Sequence, residues 1–516
     1  MMSSRFLVVF VAFAFIAPPS GAQCPPTPPG EDPFLADQVM VRVAWYSTID
    51  DALALIRQSW PEVVVTDAIE SRGWYMLGTA SGEQCLVEAD LLANFVNPNP
   101  QVPDAARPLA WAELNYEGQP GEGKTGTIYI GTGGSAQAAM QYGGQFAVEL
   151  LGIDAAHSTS RGAGVQVAVL DTGVDGTHPA LAGRVLPGVS FITGSRSTGD
   201  MGDGSDNDGD GLIDEMTGHG TFVSGLITLV APDAAILPVV VLDSDGVGDA
   251  FTIAKGVYYA IDSGADVINM SLGSTYNCEI VEVAVSEAVA TGLVAVAAAG
   301  NLGQELEEFP AARDSIGVAA LDDQDVKADF SNYNDRLFIS APGDSVPLNG
   351  GPGGYDPDRS VFGPVPGAEY AAWKGTSFAT AFVSGGAALV RAQHPDWNAG
   401  TVFSGPLCPG ATDPPGSIQE AVEQLLECSA VDVYDVNPQY EAGQLLGVGR
   451  IDIGAAVALG PIPGDLDGDN SVGLADLSAL LSDFGRSGAY AGDIDGDGYV
   501  GIADLSILLS YFGFAR

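Results

Sequence analysis

Five apolar runs between residues 140 and 459 constrain the fold more than any other feature of this chain. VQVAVLD (165–171), AILPVVVL (235–242), DVINMSLG (266–273), LVAVAAAG (293–300) and IGVAAL (316–321) are uninterrupted and bounded by turn residues. Stretches with helical periodicity, such as TIAKGVYYAIDSG and IVEVAVSEAVATG, lie between several of them. Strands that are apolar on both faces and separated by helices belong in a parallel sheet covered on both sides. The pattern therefore predicts an α/β fold, a mostly parallel sheet with helices on both faces. Ligands in such sheets bind beyond the carboxyl ends of the strands, and Asp171, Gly273 and Asn301 all fall at strand ends.

The flanks have different grammar. MMSSR followed by FLVVFVAFAFIAP and the small residues Ser20 and Ala22 reads as a secretory signal over 1–22, too short for a membrane span. Residues 23–119 form a small α+β unit: VMVRV and GWYMLGTA read as strands, STIDDALALIRQSW and VEADLLANF as helices. The α/β unit occupies 120–459, and GPIP marks a joint at 460–463. Residues 464–516 are an internal repeat, in which GDLDGDNSVGLADLSALLSDFG returns 28 residues later as GDIDGDGYVGIADLSILLSYFG. The 19 basic residues face 66 acidic ones, a net charge of −47, which excludes nucleic acid and anionic membranes as partners. Such acidity fits export, salt adaptation or binding of divalent cations, and the clustering of the aspartates favours the last. Export permits disulfides among the five cysteines. Cys408–Cys428 is the pair closest in sequence, Cys24–Cys85 a second possibility, and Cys278 is left over.

Serine nucleophiles need a histidine base and a carboxylate that orients it. VAVLDTGVDGTHP puts Asp171 at the end of a buried strand, and GHGTFVSG puts His219 at the start of a helical run. GTSFATAFVSGGAALVRAQ puts Ser377 in the first turn of a long apolar helix, where backbone N–H groups face developing negative charge. AAAGN places Asn301 after another strand, a side-chain amide suited to an oxyanion. In this order DTGVD, GHGT–VSG, AAAGN and GTSFAT closely resemble the subtilisin-like serine proteases (subtilases), across roughly 140–459. The resemblance implies a serine endopeptidase with Asp171, His219 and Ser377 as triad and Asn301 in the oxyanion hole. It also implies that Ser271, Leu272 and Gly273 pair with an extended protein or peptide substrate. Phe222, Phe378 and Ala381-Phe382 depart from the family pattern, and none of them replaces a proton-transferring group. The unit at 38–119 resembles the propeptide of such enzymes, an intramolecular inhibitor of a zymogen. A permanently attached domain is the competing reading for it.

Alternating oxygen ligands on tight loops suit calcium. In the repeats, Asp465, Asp467, Asp469 and Asp476, with the carbonyl of Ser471, make one candidate loop. Asp493, Asp495, Asp497 and Asp504, with the carbonyl of Tyr499, make the second. One short helix cannot bury its own face, so the two repeats are expected to pack together around calcium. The pair resembles a type I dockerin module, which implies a cohesin-like partner. Leu474-Ala475 and Ile502-Ala503 lack the hydroxyls of cellulosomal dockerins, so a stabilising tail or another surface partner stands beside that reading. A third acidic loop, DGSDNDGDGLIDE (203–215), offers Asp206, Asp208, Asp210 and Asp214, the carbonyl of Leu212, and Glu215 as a further candidate. The sequence thus points to a secreted, calcium-stabilised serine endopeptidase made as a zymogen. Its rival is a catalytically impaired scaffold displayed through the tail as a binding protein.

Overall fold

A computed structural model describes residues 34–124, 129–194, 197–347, 355–403, 405–408, 411–459, 464–466, 472–488, 490–494 and 498–513. The signal segment and the 460–463 joint lie outside them. The chain divides into two compact units, of which the first runs to Gly118 and takes in Gly248–Lys255 and Ser274–Val281.

In the first unit the strands Val64–Ile69, Trp74–Gly78, Phe34–Val43, Leu109–Gly118 and Gly248–Asp249 pair in that order, all antiparallel. Val39, Val41, Trp74, Leu77 and Leu91 are fully buried and form the interior of this unit. VMVRV and GWYMLGTA are neighbouring strands, as their alternation predicts. Val64–Ile69 is an additional strand at the sheet edge, where Val64 and Val65 remain exposed. Leu109–Gly118 is an inner strand despite carrying the buried polar residues Glu113 and Asn115. Glu113 accepts hydrogen bonds from the backbone N–H groups of Glu279 and Ile280 (3.0 and 2.9 Å), and Asn115 Oδ1 accepts from Phe251 N (3.2 Å). These N–H groups open helices and have no acceptor within them, so the strand's side chains serve as caps. Burial pushes the Glu113 carboxyl up to about 7, against the opposing pull of those hydrogen bonds.

In the second unit all five apolar runs become strands of one sheet. Its order is Ile339–Pro342, Ile316–Leu321, Val294–Ala298, Val267–Met270, Gln166–Asp171, Ala235–Val240 and Val189–Ser190, with every pairing parallel. Gln166–Asp171 has Ala235–Val240 on one side and Val267–Met270 on the other, so the chain crosses it in passing from one half of the sheet to the other. The crevice beyond its carboxyl end is therefore a topological switch point. Val167, Val169 and Ile236 share a core with Phe222 and Leu226 of helix His219–Val230 and with Ala379 and Val383 of helix Thr376–Gln393. The opposite face meets helix Ala250–Asp262, where a Cβ on Gly256 would lie 3.2 Å from Leu170 and 3.3 Å from Val239 side-chain atoms. A smaller antiparallel sheet joins Ser345–Pro347, Tyr355–Val365, Glu369–Trp373 and Ile130–Gly133.

Cys408 and Cys428 form a disulfide with Cα atoms 6.4 Å apart. Cys85 is also disulfide-bonded, its partner lying outside the described residues, and Cys278 is a buried thiol. The repeat helices Leu474–Asp483 and Ile502–Tyr511 pack together over Val472, Leu480, Val500 and Leu508, a four-residue core that matches the expected pairing of the repeats. No helix among the described residues is long and apolar enough to cross a membrane.

Candidate active site

Asp171 ends its strand with a side chain 1% exposed, and its Oδ1 accepts hydrogen bonds from Thr172 N and from His219 Nδ1, both at 2.8 Å. The glycines around His219 have separate reasons. Gly218 has φ 99°, a left-handed turn into the helix. A Cβ on Gly220 would lie 2.2 Å from the Gly173 carbonyl oxygen, so only glycine lets the helix start press against the Asp171 turn. A second carboxylate, Asp200, ties the two segments together. It accepts from Gly218 N (2.9 Å), Thr221 N (3.0 Å), Thr221 Oγ1 (2.6 Å) and Thr172 Oγ1 (3.1 Å). Burial pushes its carboxyl up to about 6, while those donors pull it down.

Ser377 lies in the first turn of helix Thr376–Gln393 and is fully buried. Asn301 is fixed beside it, its Oδ1 accepting from Thr376 N and Oγ1, both at 2.9 Å. That leaves Nδ2 on the side of Gly121, where an added Cβ would lie 2.7 Å away. Ser271 Oγ donates to the Ser377 carbonyl (2.9 Å), and Leu272 is 1% exposed. Gly273 makes a two-bond antiparallel bridge with Gln119, Gln119 N to Gly273 O at 3.1 Å and Gly273 N to Gln119 O at 3.0 Å. The Ser271–Gly273 edge thus pairs with an extended segment, and the segment is the chain's own.

Glu122, three residues beyond that bridge, is fully buried. Ser377 Oγ donates to Glu122 Oε2 at 2.7 Å, and His219 Nε2 lies 3.6 Å from the same oxygen. Burial pulls the His219 pKa down, but the Asp171 and Glu122 carboxylates together push it up to about 10. A serine, a histidine and two carboxylates therefore share one buried cluster at the switch point of a parallel sheet. Residues 162–443, more than half of the sequence, match the model of the Subtilase family (Peptidase_S8).

The chain belongs to the subtilase family. Thermitase of Thermoactinomyces vulgaris is 37% identical over 235 residues, 45% of this chain and 77% of that protein. Subtilisin BL of Lederbergia lenta is 38% identical over 255 residues, 47% of this chain and 82% of that one. The fold is also that of fervidolysin from Fervidobacterium pennivorans, a keratinolytic enzyme related to subtilisin. That structure has a TM-score of 0.58 at 21% identity, covering 85% of this chain and 63% of its own. This subtilase is a serine endopeptidase, with the α/β architecture that its apolar runs predict.

The departures from the family pattern are neighbours in space. The Phe222 and Phe378 rings are 4.4 Å apart, Phe378 is 5.6 Å from the His219 ring, and Trp373 stands edge-on to His219 at 5.5 Å. Gly363 makes the room, since a Cβ there would lie 2.6 Å from the Phe222 ring. The subtilase thus holds its imidazole in an aromatic cage that changes packing and leaves the polar contacts intact. His178 bonds the Glu369 carbonyl through Nε2 and accepts from Ala180 N, a structural role beside the Asp171 loop. Sequence reasoning missed Asp200 and Glu122. The first is hidden in an acid-rich stretch, and the second sits in GEGK, which reads as a polar connector.

In the 203–215 loop, carboxylate oxygens of Asp206, Asp208 and Asp210 all lie within 4.8 Å of one another. Asp214 is not part of that group, and its oxygens accept from Asp203 N (2.7 Å) and Gly204 N (3.0 Å). Leu212 donates its N–H to Asp210 Oδ1 at 2.7 Å. Glu215 is 9% exposed, and neither of its oxygens has a hydrogen-bond donor among the described residues. Its charged neighbours are the carboxylates of Asp245, Asp208 and Asp210. In the repeats Asp476 accepts from Leu466 N and Gly473 N (both 2.7 Å), and Asp504 from Ile494 N (2.7 Å) and Gly501 N (2.6 Å). The twelfth-position aspartates thus close both loops with the same pair of backbone bonds. Asp493 Oδ1 is buried with no donor among the described residues, Asp465 lies just before Leu466, and Tyr499 bridges to Ser487. Asp467, Asp469, Ser471, Asp495 and Asp497 lie outside the described residues.

Proposed function

We propose that this subtilase is an exported, calcium-stabilised zymogen with Ser377 as nucleophile, His219 as general base and Asp171 as the group that orients the imidazole. The observation that carries the assignment is the 2.8 Å contact of His219 Nδ1 with Asp171 Oδ1, with Nε2 3.6 Å from the same Glu122 oxygen to which Ser377 Oγ donates. In the working enzyme Ser377 Oγ attacks the substrate carbonyl while Nε2 takes its proton. The tetrahedral oxyanion is met by Asn301 Nδ2 and by N–H groups at the start of the Ser377 helix. The C–N bond then breaks, the proton passes to the leaving amine, and water repeats the sequence on the acyl-enzyme. Protein or peptide substrates pair with Ser271–Gly273 in the manner of Gln119. The four side chains assemble in one unit, which speaks against an impaired scaffold.

The N-terminal unit acts as propeptide and intramolecular inhibitor. Calcium is the cofactor. Asp206, Asp208 and Asp210 with Glu215 would hold one ion, since a buried carboxylate without donors is costly unless a cation meets it. The repeat loops closed by Asp476 and Asp504 would hold two more, and there calcium supplies folding energy to a very small core. The tail then serves as a stabilising module or an attachment to a cohesin-like or other surface partner. The test is secretion of the parent chain and of Ser377→Ala in calcium, followed by mass measurement and casein hydrolysis. The parent alone should lose its N-terminal unit and digest casein. If both chains stay full-length and remain inert after trace cleavage by an unrelated protease, the assignment fails.

A further inference from the structure

We propose that the assembled catalytic centre contains a carboxylate-binding site, and that Glu122 fills it in the intact chain as a plug. The inference rests on the zymogen reading and names the group that enforces it. Gln119 pairs with Gly273 as an extended substrate would, but the next residues do not stay extended. Gly121–Lys124 closes into a helical turn, which swings the Glu122 side chain onto the catalytic residues. Its Oε2 accepts a hydrogen bond from the Ser377 hydroxyl at 2.7 Å; the hydroxyl's other acceptor is the Ser271 carbonyl at 3.2 Å, and His219 Nε2 has no hydrogen-bond partner among the described residues. The same oxygen faces His219 Nε2 at 3.6 Å, where the nucleophile's proton would have to go. The other oxygen lies over Gly375, since a Cβ there would come within 1.4 Å of it. Gly121 lies against the Asn301 amide at the same time. Nucleophile, base and Asn301 are thus covered by two consecutive residues.

The electrostatics act in the same direction. Between Asp171 and Glu122 the imidazole is held protonated, its pKa raised to about 10 despite complete burial, and an imidazolium has no lone pair for the serine proton. Glu122 is the only acidic residue between Gly118 and Tyr129. The contact is therefore specific to one position in the segment, in a chain otherwise crowded with acids.

The experiment uses the full chain and a fluorophosphonate, which labels an activated serine, with intact and cut species resolved by mass. Intact Glu122→Ala should label at Ser377 at least about tenfold faster than the intact parent, a difference of about 1.4 kcal/mol. Glu122→Gln, which keeps the bulk and hydrogen-bonding atoms, should fall between them. Trace cleavage by an unrelated protease should raise the parent's rate towards that of the alanine variant. A peptide GQPGEGKT added to the cut enzyme should inhibit it more strongly than GQPGQGKT. Equal labelling of all three intact chains, with label still on Ser377, overturns the plug and leaves the protease reading standing. A glutamine variant as slow as the parent, or peptides that inhibit equally, also overturns it, because bulk would then suffice. Failure of every chain to label before and after cutting overturns the protease reading itself.

Discussion

Two groups of acidic side chains precede His219, and the fold supplies them with different donors. Asp171 and Asp200 meet hydroxyls, backbone N–H groups and an imidazole. Asp206, Asp208 and Asp210 accept backbone N–H groups of their own exposed loop and bring their oxygens within 4.8 Å of one another, and Glu215 has no donor among the described residues. A buried carboxylate is tolerable only when donors or a cation compensate for lost hydration. In the first group every carboxylate oxygen except Asp171 Oδ2 has a donor from the protein. The second has the composition of a site completed by an ion. The lesson is that carboxylates a few residues apart in one sequence can serve proton chemistry and metal chemistry, depending on which donors the fold brings to them.

The comparison breaks most visibly at Asp171. Asp171→Asn keeps the shape but removes the charge that fixes the tautomer, so casein hydrolysis by the cut enzyme should fall about 10⁴-fold. Calcium should not restore it, and a rate near normal would remove Asp171 from the mechanism. The next effect is on pH dependence. His219 titrates at about 10 in the intact chain against 6.5 when unperturbed. A folded pKa above the unfolded one means that the contribution to stability is full below about 6.5 and lost as pH rises towards 10. The intact Ser377→Ala chain should therefore lose Tm across that window, and Glu122→Gln should make the loss smaller. A Tm slope unchanged by that substitution would mean that Glu122 does not support the imidazolium.

Asp200→Ala comes next, since it leaves four buried donors without their acceptor. About 3 kcal/mol of stability should disappear, equally in calcium and in EDTA. A loss that calcium reverses would move Asp200 into the metal group.

The strands and the convergence of Asp171, His219 and Ser377 were legible in the sequence for physical reasons. Continuous apolar runs have few homes other than a two-sided sheet, and Gly218 and Gly220 flank His219 because the backbone there needs them. Leu109–Gly118 was less legible as a strand, because Glu113 and Asn115 interrupt its apolar pattern. Their acceptors serve N–H groups that arrive from beyond residue 250, which no local pattern records. Asp200 and Glu122 were illegible for the same reason. What defines each is a partner more than fifteen residues away, and for Glu122 the serine is 255 residues distant.

The smallest effect is the sharpest test of the contrast between the two acidic groups. In EDTA, Glu215→Gln removes one negative charge from a place already crowded with carboxylates, so the variant should be more stable than the parent by about 1 kcal/mol. In calcium the order should reverse. The parent gains RT ln(1 + [Ca]/Kd) from each filled site, about 2.7 kcal/mol at a hundredfold excess over the dissociation constant, and the variant gains less at this one. Chelation alone would lower Tm through any of the three loops, so it does not say which one binds. The crossing of two Tm series assigns the loss to Glu215 and its neighbours. Parallel series would show that the cluster before His219 is a solvated acidic loop, and any loss of Tm on chelation would then have to arise elsewhere.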